Sequence, residues 1–387
     1  MFVGIVAEYN PFHNGHAAQL AAARAAGASC IAVAMSAGAV QRGEVPILPE
    51  SVRVRAALAS GADLVAALPA PYACAGAEAF AAAGVRLLAA LGCDTLAFGA
   101  ETPDAARLMD AARLLLSEKI NEELRKNLDA GQTFAAARAA AAEVACPGMG
   151  ALLREPNNIL GVEYCKAILT QNAALTPLPL PRLGTGHGGT TGQHGAVAMA
   201  SAGYLRTLPV CDWAPFVPAS AQELYRQAEQ DGLLRSSVKF DAALLALLRT
   251  QTAADFAGVR SVNEGLEHRL AAAVRTAADR EELYALLKTK RYPHARLRRL
   301  ALDAALHIPP DLPPVPYIQV LGAKKQALPR LKQAALPAGT ALADLQRTGQ
   351  AAEQIGNLHS KMVDFSALCR DKTRPMGLAF TTKPVVL

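Results

Sequence analysis

Four short, largely apolar runs alternate with helical patterns across the first hundred residues, and this alternation limits the fold more than any other feature of the 387-residue chain. The runs occupy 2–7, 30–35, 63–68 and 95–98, and the segments 17–26, 52–60 and 78–91 between them repeat apolar residues at helical spacing. A strand that is apolar on both sides needs cover on both faces, and a helix between consecutive strands is the connection that keeps them parallel. The pattern therefore predicts an α/β domain with a Rossmann-like parallel sheet between helical layers. In such sheets the segments leaving the carboxyl ends of the strands share one rim, where ligands bind. Residues 8–16, 36–43, 69–76 and 99–102 follow strand ends and are expected there.

Further along, the pattern is helical from about 103 to 145, Cys146-Pro147-Gly148 breaks it, and another helix is expected through 158–169. Residues 175–183 are punctuated by proline and extended. Gly184-Thr185-Gly186-His187-Gly188-Gly189 reads either as a loop closing over a ligand or as a plain connector. Beyond Trp213-Ala214-Pro215 the βα alternation ends, which places a boundary near residue 210. We expect an α/β domain over 1–210 and a mainly helical C-terminal domain over 211–387, two domains being the ordinary outcome for this length.

The chain is 52% hydrophobic but only 5% aromatic, so close packing on small side chains is expected, as in α/β or α-rich enzymes. Seven scattered cysteines without CxxC spacing give neither a disulfide framework nor a zinc site. The start lacks a signal-peptide pattern and no run of about 18 apolar residues follows, so no membrane span and a cytoplasmic enzyme are expected. A net charge of +6 permits nucleic-acid or phosphate partners without requiring them. The densest basic run, Lys288-Thr289-Lys290-Arg291-Tyr292-Pro293-His294-Ala295-Arg296-Leu297-Arg298-Arg299, is either a solvated helix face or a track for a phosphate backbone.

The chemistry concentrates where the first strand becomes a helix, in Val6-Ala7-Glu8-Tyr9-Asn10-Pro11-Phe12-His13-Asn14-Gly15-His16. Unpaired N–H groups in a first helical turn and the positive end of the helix dipole attract phosphate, and two imidazoles add donors. His13 and His16 also have metal-ligand spacing, but no HExxH pattern or nearby carboxylate and thiol completes a set, so no metal site is expected. Gly99 reads as a close-approach point for a nucleoside or as a turn glycine. Asn157 and Asn158 read as ribose or base contacts or as helix caps. Arg182 and Arg42 each carry a planar fork suited to phosphate or carboxylate.

His13-Asn14-Gly15-His16 is similar to the HxGH signature of the nucleotidyltransferase superfamily. Its surroundings are more specific. Val40-Gln41-Arg42-Gly43-Glu44, Gly61-Ala62-Asp63-Leu64, Leu91-Gly92-Cys93-Asp94, Phe98-Gly99-Ala100-Glu101 and Pro156-Asn157-Asn158-Ile159-Leu160-Gly161-Val162-Glu163-Tyr164 occur in order, followed by Arg182-Leu183-Gly184, Ser201-Ala202 and Leu205-Arg206. Together they resemble the tRNA(Met) cytidine acetate ligase family. The resemblance implies an ATP-dependent ligase that forms acetyl-adenylate and passes acetyl to N4 of the wobble cytidine of elongator tRNA(Met). ATP, with Mg2+ accompanying it, acetate and tRNA are the implied substrates. It implies catalytic roles for His13 and His16 and ATP contacts from residues 6–16, Gln19, Gly99, Asn157, Asn158, Arg182 and Leu183, with Arg42 at acetate or phosphate. The tRNA is expected on Lys288, Lys290, Arg291, Arg296, Arg298 and Arg299.

The sequence departs from the family pattern at Ala37-Gly38-Ala39, at Glu50, where a lysine is usual, and at Thr185-Gly186-His187-Gly188-Gly189. Two other readings stand beside the ligase: a small-molecule adenylyltransferase and a non-catalytic nucleotide- or RNA-binding protein. The long basic extension beyond the nucleotide domain favours the ligase over the former.

Overall fold

The computed structural model of the chain describes residues 1–182, 190–263, 265–289 and 292–387. The βα repeat runs through β1 (Phe2–Ala7), α1 (Asn14–Ala25), β2 (Cys30–Ser36), α2 (Glu50–Ala59), β3 (Leu64–Leu68), the short α3 (Ala70–Ala73), α4 (Ala77–Ala90) and β4 (Thr95–Ala100). β1 pairs in parallel with β2 and with β4, and β2 in parallel with β3. Alternation along each strand divides the apolar residues between two cores. Val3, Ile5, Ile31, Val33 and Met35 face one layer with Leu20 of α1 and Val54 of α2, whereas Ala32, Ala34, Leu64 and Ala66 face Phe80 and Leu87 of α4. The expected two-faced parallel sheet is thus present.

Helices α5 (Ala105–Leu116), α6 (Asn121–Asp129), α7 (Phe134–Ala145), α8 (Met149–Leu152) and α9 (Pro156–Thr170) follow. The proline-rich segment is β5 (Thr176–Pro181), parallel to β4. Pro177, Pro179 and Pro181 recur every second residue, which sends all three missing N–H groups to the outer edge. The intervening N–H groups point inward: Thr176 donates to the Asp94 carbonyl at 2.9 Å. β6 (Thr191–His194) and β7 (Val197–Ala200) form an antiparallel hairpin ahead of α10 (Ala202–Leu205).

Beyond residue 210 come α11 (Ala219–Gln230), α12 (Ser237–Arg249), α13 (Ala253–Ala257), α14 (Leu266–Thr276), α15 (Arg280–Leu287) and α16 (His294–Leu306). The chain then departs from a purely helical course, with β8 (Ile318–Ala323), β9 (Ala338–Gly339), α17 (Leu342–Gln346), α18 (Gln350–Leu368), α19 (Leu378–Thr381) and β10 (Val385–Val386). β8 lies antiparallel against β3, and β10 pairs in parallel with β8. The sheet order is therefore β10, β8, β3, β2, β1, β4, β5, with β9 beside β8. The boundary expected near residue 210 does not divide the sheet, since β8 and β10 lie beyond it. The outer edge of β3 carries backbone groups that need partners, and a strand from far along the sequence supplies them.

Residues of α12, α14, α15, α16 and α18 build a third core, which also takes in Ala39, Val45, Ala70 and Cys74. The segment after β2 is thus packed against the C-terminal helices. The strand order reverses at β1, with β2 and β3 on one side and β4 and β5 on the other. The crevice outside the carboxyl ends of β1 and β4 is accordingly the topological switch point where such sheets bind ligands.

Candidate active site

Between β1 and α1 the chain turns through Tyr9, whose φ is +49°, and a cis Asn10–Pro11 peptide, and arrives at His13 in an extended conformation. His13 caps α1: its Nδ1 accepts from the Gly15 N–H at 3.0 Å, and the His16 Nδ1 accepts from the His13 N–H at 3.2 Å. The two imidazoles stack with centroids 3.8 Å apart, and His16 meets Tyr9 edge-on at 4.9 Å. Because both Nδ1 lone pairs are engaged, the neutral rings carry hydrogen on Nε2. Burial, aided by the charges of Arg182 and Arg206, pushes His13 down to about 4, and burial with His13 and Arg182 pushes His16 well below its ordinary value. At neutral pH the pair is two neutral Nε2–H donors fixed by backbone hydrogen bonds.

These donors line a cavity of about 730 Å³, within the size range of small-molecule sites. The ends of β1, β4 and β5 supply Val6, Ala7, Glu8, Phe98, Gly99, Leu180, Pro181 and Arg182; α1 supplies Gln19 and α9 Asn157, Leu160 and Tyr164. Three guanidiniums, Arg42, Arg182 and Arg206, surround the cavity, and Glu8 is the one carboxylate among its described lining residues. One wall is apolar, with the Phe98 and Tyr164 rings 5.4 Å apart. A cationic rim beside an apolar slot suits a molecule with a polyanionic end and a flat ring.

Of the residues expected at ATP, Val6, Ala7, Glu8, His13, Gly15, His16, Gln19, Gly99, Asn157 and Arg182 line this cavity, as does Arg42. Tyr9, Asn10, Pro11, Phe12, Asn14 and Asn158 do not, because the turn spends them on its own structure. Tyr9 and Phe12 are buried, with rings 4.8 Å apart. The Asn10 Oδ1 accepts from Ile47 N–H at 2.8 Å, and Asn14 Nδ2 donates to the Ala198 carbonyl at 2.8 Å, anchoring the hairpin. Asn158 Oδ1 accepts from Thr102 N–H at 2.9 Å, while Glu101 accepts the Asn158 N–H and the Asn157 side-chain amide. Glu101 also lies 3.5 Å from Arg182. Leu183 and the 185–189 segment lie outside the described residues.

The other two departures from the family pattern fall outside the cavity. Glu50 accepts from the Gly38 N–H at 2.8 Å, and Ala37 and Ala39 are buried, so they hold the post-β2 segment in place.

Arg206 and Gln41 were not among the expected site residues. Arg206 donates to the Asn10 carbonyl at 2.7 Å, and the Gln41 side-chain nitrogen is buried without a hydrogen-bond partner. Both stand in segments that carry the family resemblance, Val40-Gln41-Arg42-Gly43-Glu44 and Leu205-Arg206, but residue type alone does not separate them from loop polar residues, and Arg206 reaches the site from beyond α10. Glu8 accepts from Gln41 N–H at 2.8 Å, and burial raises its carboxyl despite Arg42, Arg206 and Arg53 nearby.

The basic run divides. Arg298 reaches Glu44 at 2.9 Å, and Arg299 donates to the Gln41 carbonyl at 3.0 Å, so both turn inward onto the segment that carries Arg42. Burial works to raise the Glu44 carboxyl, but Arg235, Arg206 and Arg298 outweigh it and hold it below its ordinary value. Arg296 stacks 4.5 Å over Tyr292 and donates to Asn263, and Lys288 is exposed and donates to the Tyr292 carbonyl. The expectation that the run forms one RNA-facing track therefore needs revision at Arg298 and Arg299; Lys290 and Arg291 lie outside the described residues.

Among the described residues no cluster of three or more His, Cys, Asp or Glu side chains is arranged to hold a metal, and no helix is long and apolar enough to cross a membrane. All seven cysteines are unpaired, five of them buried.

Residues 1–372 match the HIGH Nucleotidyl Transferase family. The tRNA(Met) cytidine acetate ligase of Bacillus subtilis (strain 168) is 35% identical over 347 residues, covering 84% of this chain and 82% of that protein. That of Syntrophotalea carbinolica is 36% identical over 309 residues, covering 77% and 72%. The crystal structure of apo Thermotoga maritima TmcAL superposes with a TM-score of 0.92 at 26% identity, over 100% of this chain and 99% of that one. The same protein bound with alpha-thio ATP gives 0.91 at 25%, with the same coverage. On these matches of sequence and fold, the chain belongs to the tRNA(Met) cytidine acetate ligase family of HIGH nucleotidyltransferases.

Proposed function

We propose that this chain activates acetate with ATP and transfers the acetyl group to N4 of the wobble cytidine of elongator tRNA(Met). The observation that carries the reading is the pair of stacked, neutral, backbone-fixed imidazoles at the switch point of the sheet, ringed by Arg42, Arg182 and Arg206. Attack of acetate on the α-phosphorus builds charge on the departing pyrophosphate. Preorganised Nε2–H donors and guanidiniums that need no rearrangement lower that barrier. The adenine ring takes the apolar slot by Phe98 and Tyr164, with Gly99 leaving room for the nucleoside. Arg42 and the unpartnered Gln41 amide hold the acetate. Mg2+ arrives on the phosphates, since a lining with one carboxylate leaves the ion to phosphate oxygens and water.

The test is incubation of the protein with ATP, labelled acetate and total tRNA, followed by digestion to nucleosides. Labelled N4-acetylcytidine that disappears with His13→Ala or His16→Ala is the expected result. Its absence, with adenylate appearing instead on a small nucleotide, refutes the reading in favour of an adenylyltransferase. Normal ATP binding by both variants, without any product from the wild type, indicates a nucleotide-binding protein.

A further inference from the structure

The transfer step needs a proton acceptor, because the exocyclic amine that attacks the acyl carbon must lose a proton to leave a neutral amide. Resting on the reading above, we propose that Glu8 is that base. Three observations converge on it.

First, the histidines are spent. Each Nδ1 already accepts a backbone N–H, at 3.0 Å from Gly15 and 3.2 Å from His13, and each Nε2 carries hydrogen. Neither ring has a free lone pair, so each can donate but not accept. Second, Glu8 is the only carboxylate among the described lining residues, which include no lysine and no cysteine. Third, its Oε1 is fixed by the Gln41 N–H at 2.8 Å, which leaves Oε2 to receive a proton.

The surroundings suit a carboxylate that takes up a proton more readily than an exposed one. Glu8 faces Arg42 from the segment after β2, Arg53 from α2 and Arg206 from beyond α10, with Tyr164 of α9 and Cys74 beyond α3 also near. The guanidiniums keep the carboxylate accessible as an anion, while burial raises its affinity for a proton. In the step, the N4 lone pair forms the C–N bond to the acyl carbon. The N4 proton passes to Glu8 Oε2, and the bond from acyl carbon to phosphate oxygen breaks with its electrons on AMP.

Two half-reactions separate this role from nucleotide binding. Acetate-dependent exchange of pyrophosphate into ATP reports adenylation, and single-turnover reaction of synthetic acetyl-AMP with tRNA reports transfer. Glu8→Gln keeps an acceptor for the Gln41 N–H and removes the base. We expect transfer to fall about 100-fold, the lower range for loss of a general base, and exchange to fall by less than about tenfold. The wild-type transfer rate should rise with pH on its acid side; Glu8→Asp keeps that limb and Glu8→Gln loses it. Transfer by Glu8→Gln within about threefold of wild type, or equal losses in both half-reactions, overturns the assignment. Wild-type protein that makes no acetylcytidine overturns the ligase reading instead.

Discussion

Gly43 offers the sharpest test of how the C-terminal helices and the cavity are joined. Its φ is +77°, and a Cβ there would lie 2.5 Å from both the Arg298 carbonyl carbon and the Arg299 nitrogen. Those are backbone atoms, so α16 or the segment after β2 must move. Gly43→Ala costs about 1 kcal/mol for the left-handed conformation. Forcing an extra carbon against packed backbone adds about 1–3 kcal/mol. Gly92 is the control: its φ is +89° and nothing lies within 4 Å of its Cβ position, so Gly92→Ala bears the conformational cost alone. In a cooperative unit of this length each kcal/mol shifts Tm by about 1 °C. Thermal unfolding of both variants should thus show Gly43→Ala melting about 1–4 °C below Gly92→Ala. Because Arg42 and Gln41 precede Gly43, pyrophosphate exchange should also fall in Gly43→Ala and persist in Gly92→Ala. Equal melting shifts, or unchanged exchange in Gly43→Ala, refute the idea that α16 braces the cavity wall.

Arg53 is fully buried and donates to the carbonyls of Leu48, Glu8 and Ser36, tying the ends of β1 and β2 together, so Arg53→Met should cost about 3–5 kcal/mol in denaturant unfolding. His13 falls from an ordinary 6.5 to about 4 on folding. Between those values the unfolded chain binds a proton that the folded chain excludes, so stability drops as pH falls through that window. His13→Asn, which keeps an acceptor at the helix cap, should flatten the Tm-against-pH curve there; an unchanged slope contradicts a neutral buried ring. For the RNA, Lys288→Ala with Arg296→Ala should weaken tRNA binding and reduce its salt slope while sparing pyrophosphate exchange. Arg298→Ala should instead lower exchange, since its partner Glu44 lies on the segment with Arg42. The reverse pattern would place the RNA on the inward-facing arginines.

What could be read in the sequence was what is local. Periodicity located β1 to β4 and the helices between them, because an apolar strand and an amphipathic helix announce themselves within a dozen residues. The HxGH turn was equally legible, since one segment holds the cap, the stacked rings and the cavity-facing helix end. β8 was not, because its partner β3 is some 250 residues away in sequence and nothing in Ile318–Ala323 says which edge it completes. β5 was half-legible: its prolines mark an extended segment, and only pairing shows that their spacing turns every missing donor outward.

The same distinction explains which of the expected residues the cavity takes in. In a turn as tight as residues 8–16, some side chains face the cavity and others hold the turn, and the motif alone cannot separate the two. Asn14 reaches Ala198 and Tyr225 reaches the Phe12 carbonyl, so part of the motif serves to fasten the turn to the β6–β7 hairpin and to α11. Arg298 and Arg299 follow the same logic in the basic run. A cluster of charge reads as surface until a buried acceptor appears, and here Glu44 and the Gln41 carbonyl supply it. The consequence is that the C-terminal helices help shape the wall of the cavity at the switch point. Helix α16 therefore bears directly on the segment carrying Arg42, through Arg298 on Glu44 and Arg299 on the Gln41 carbonyl.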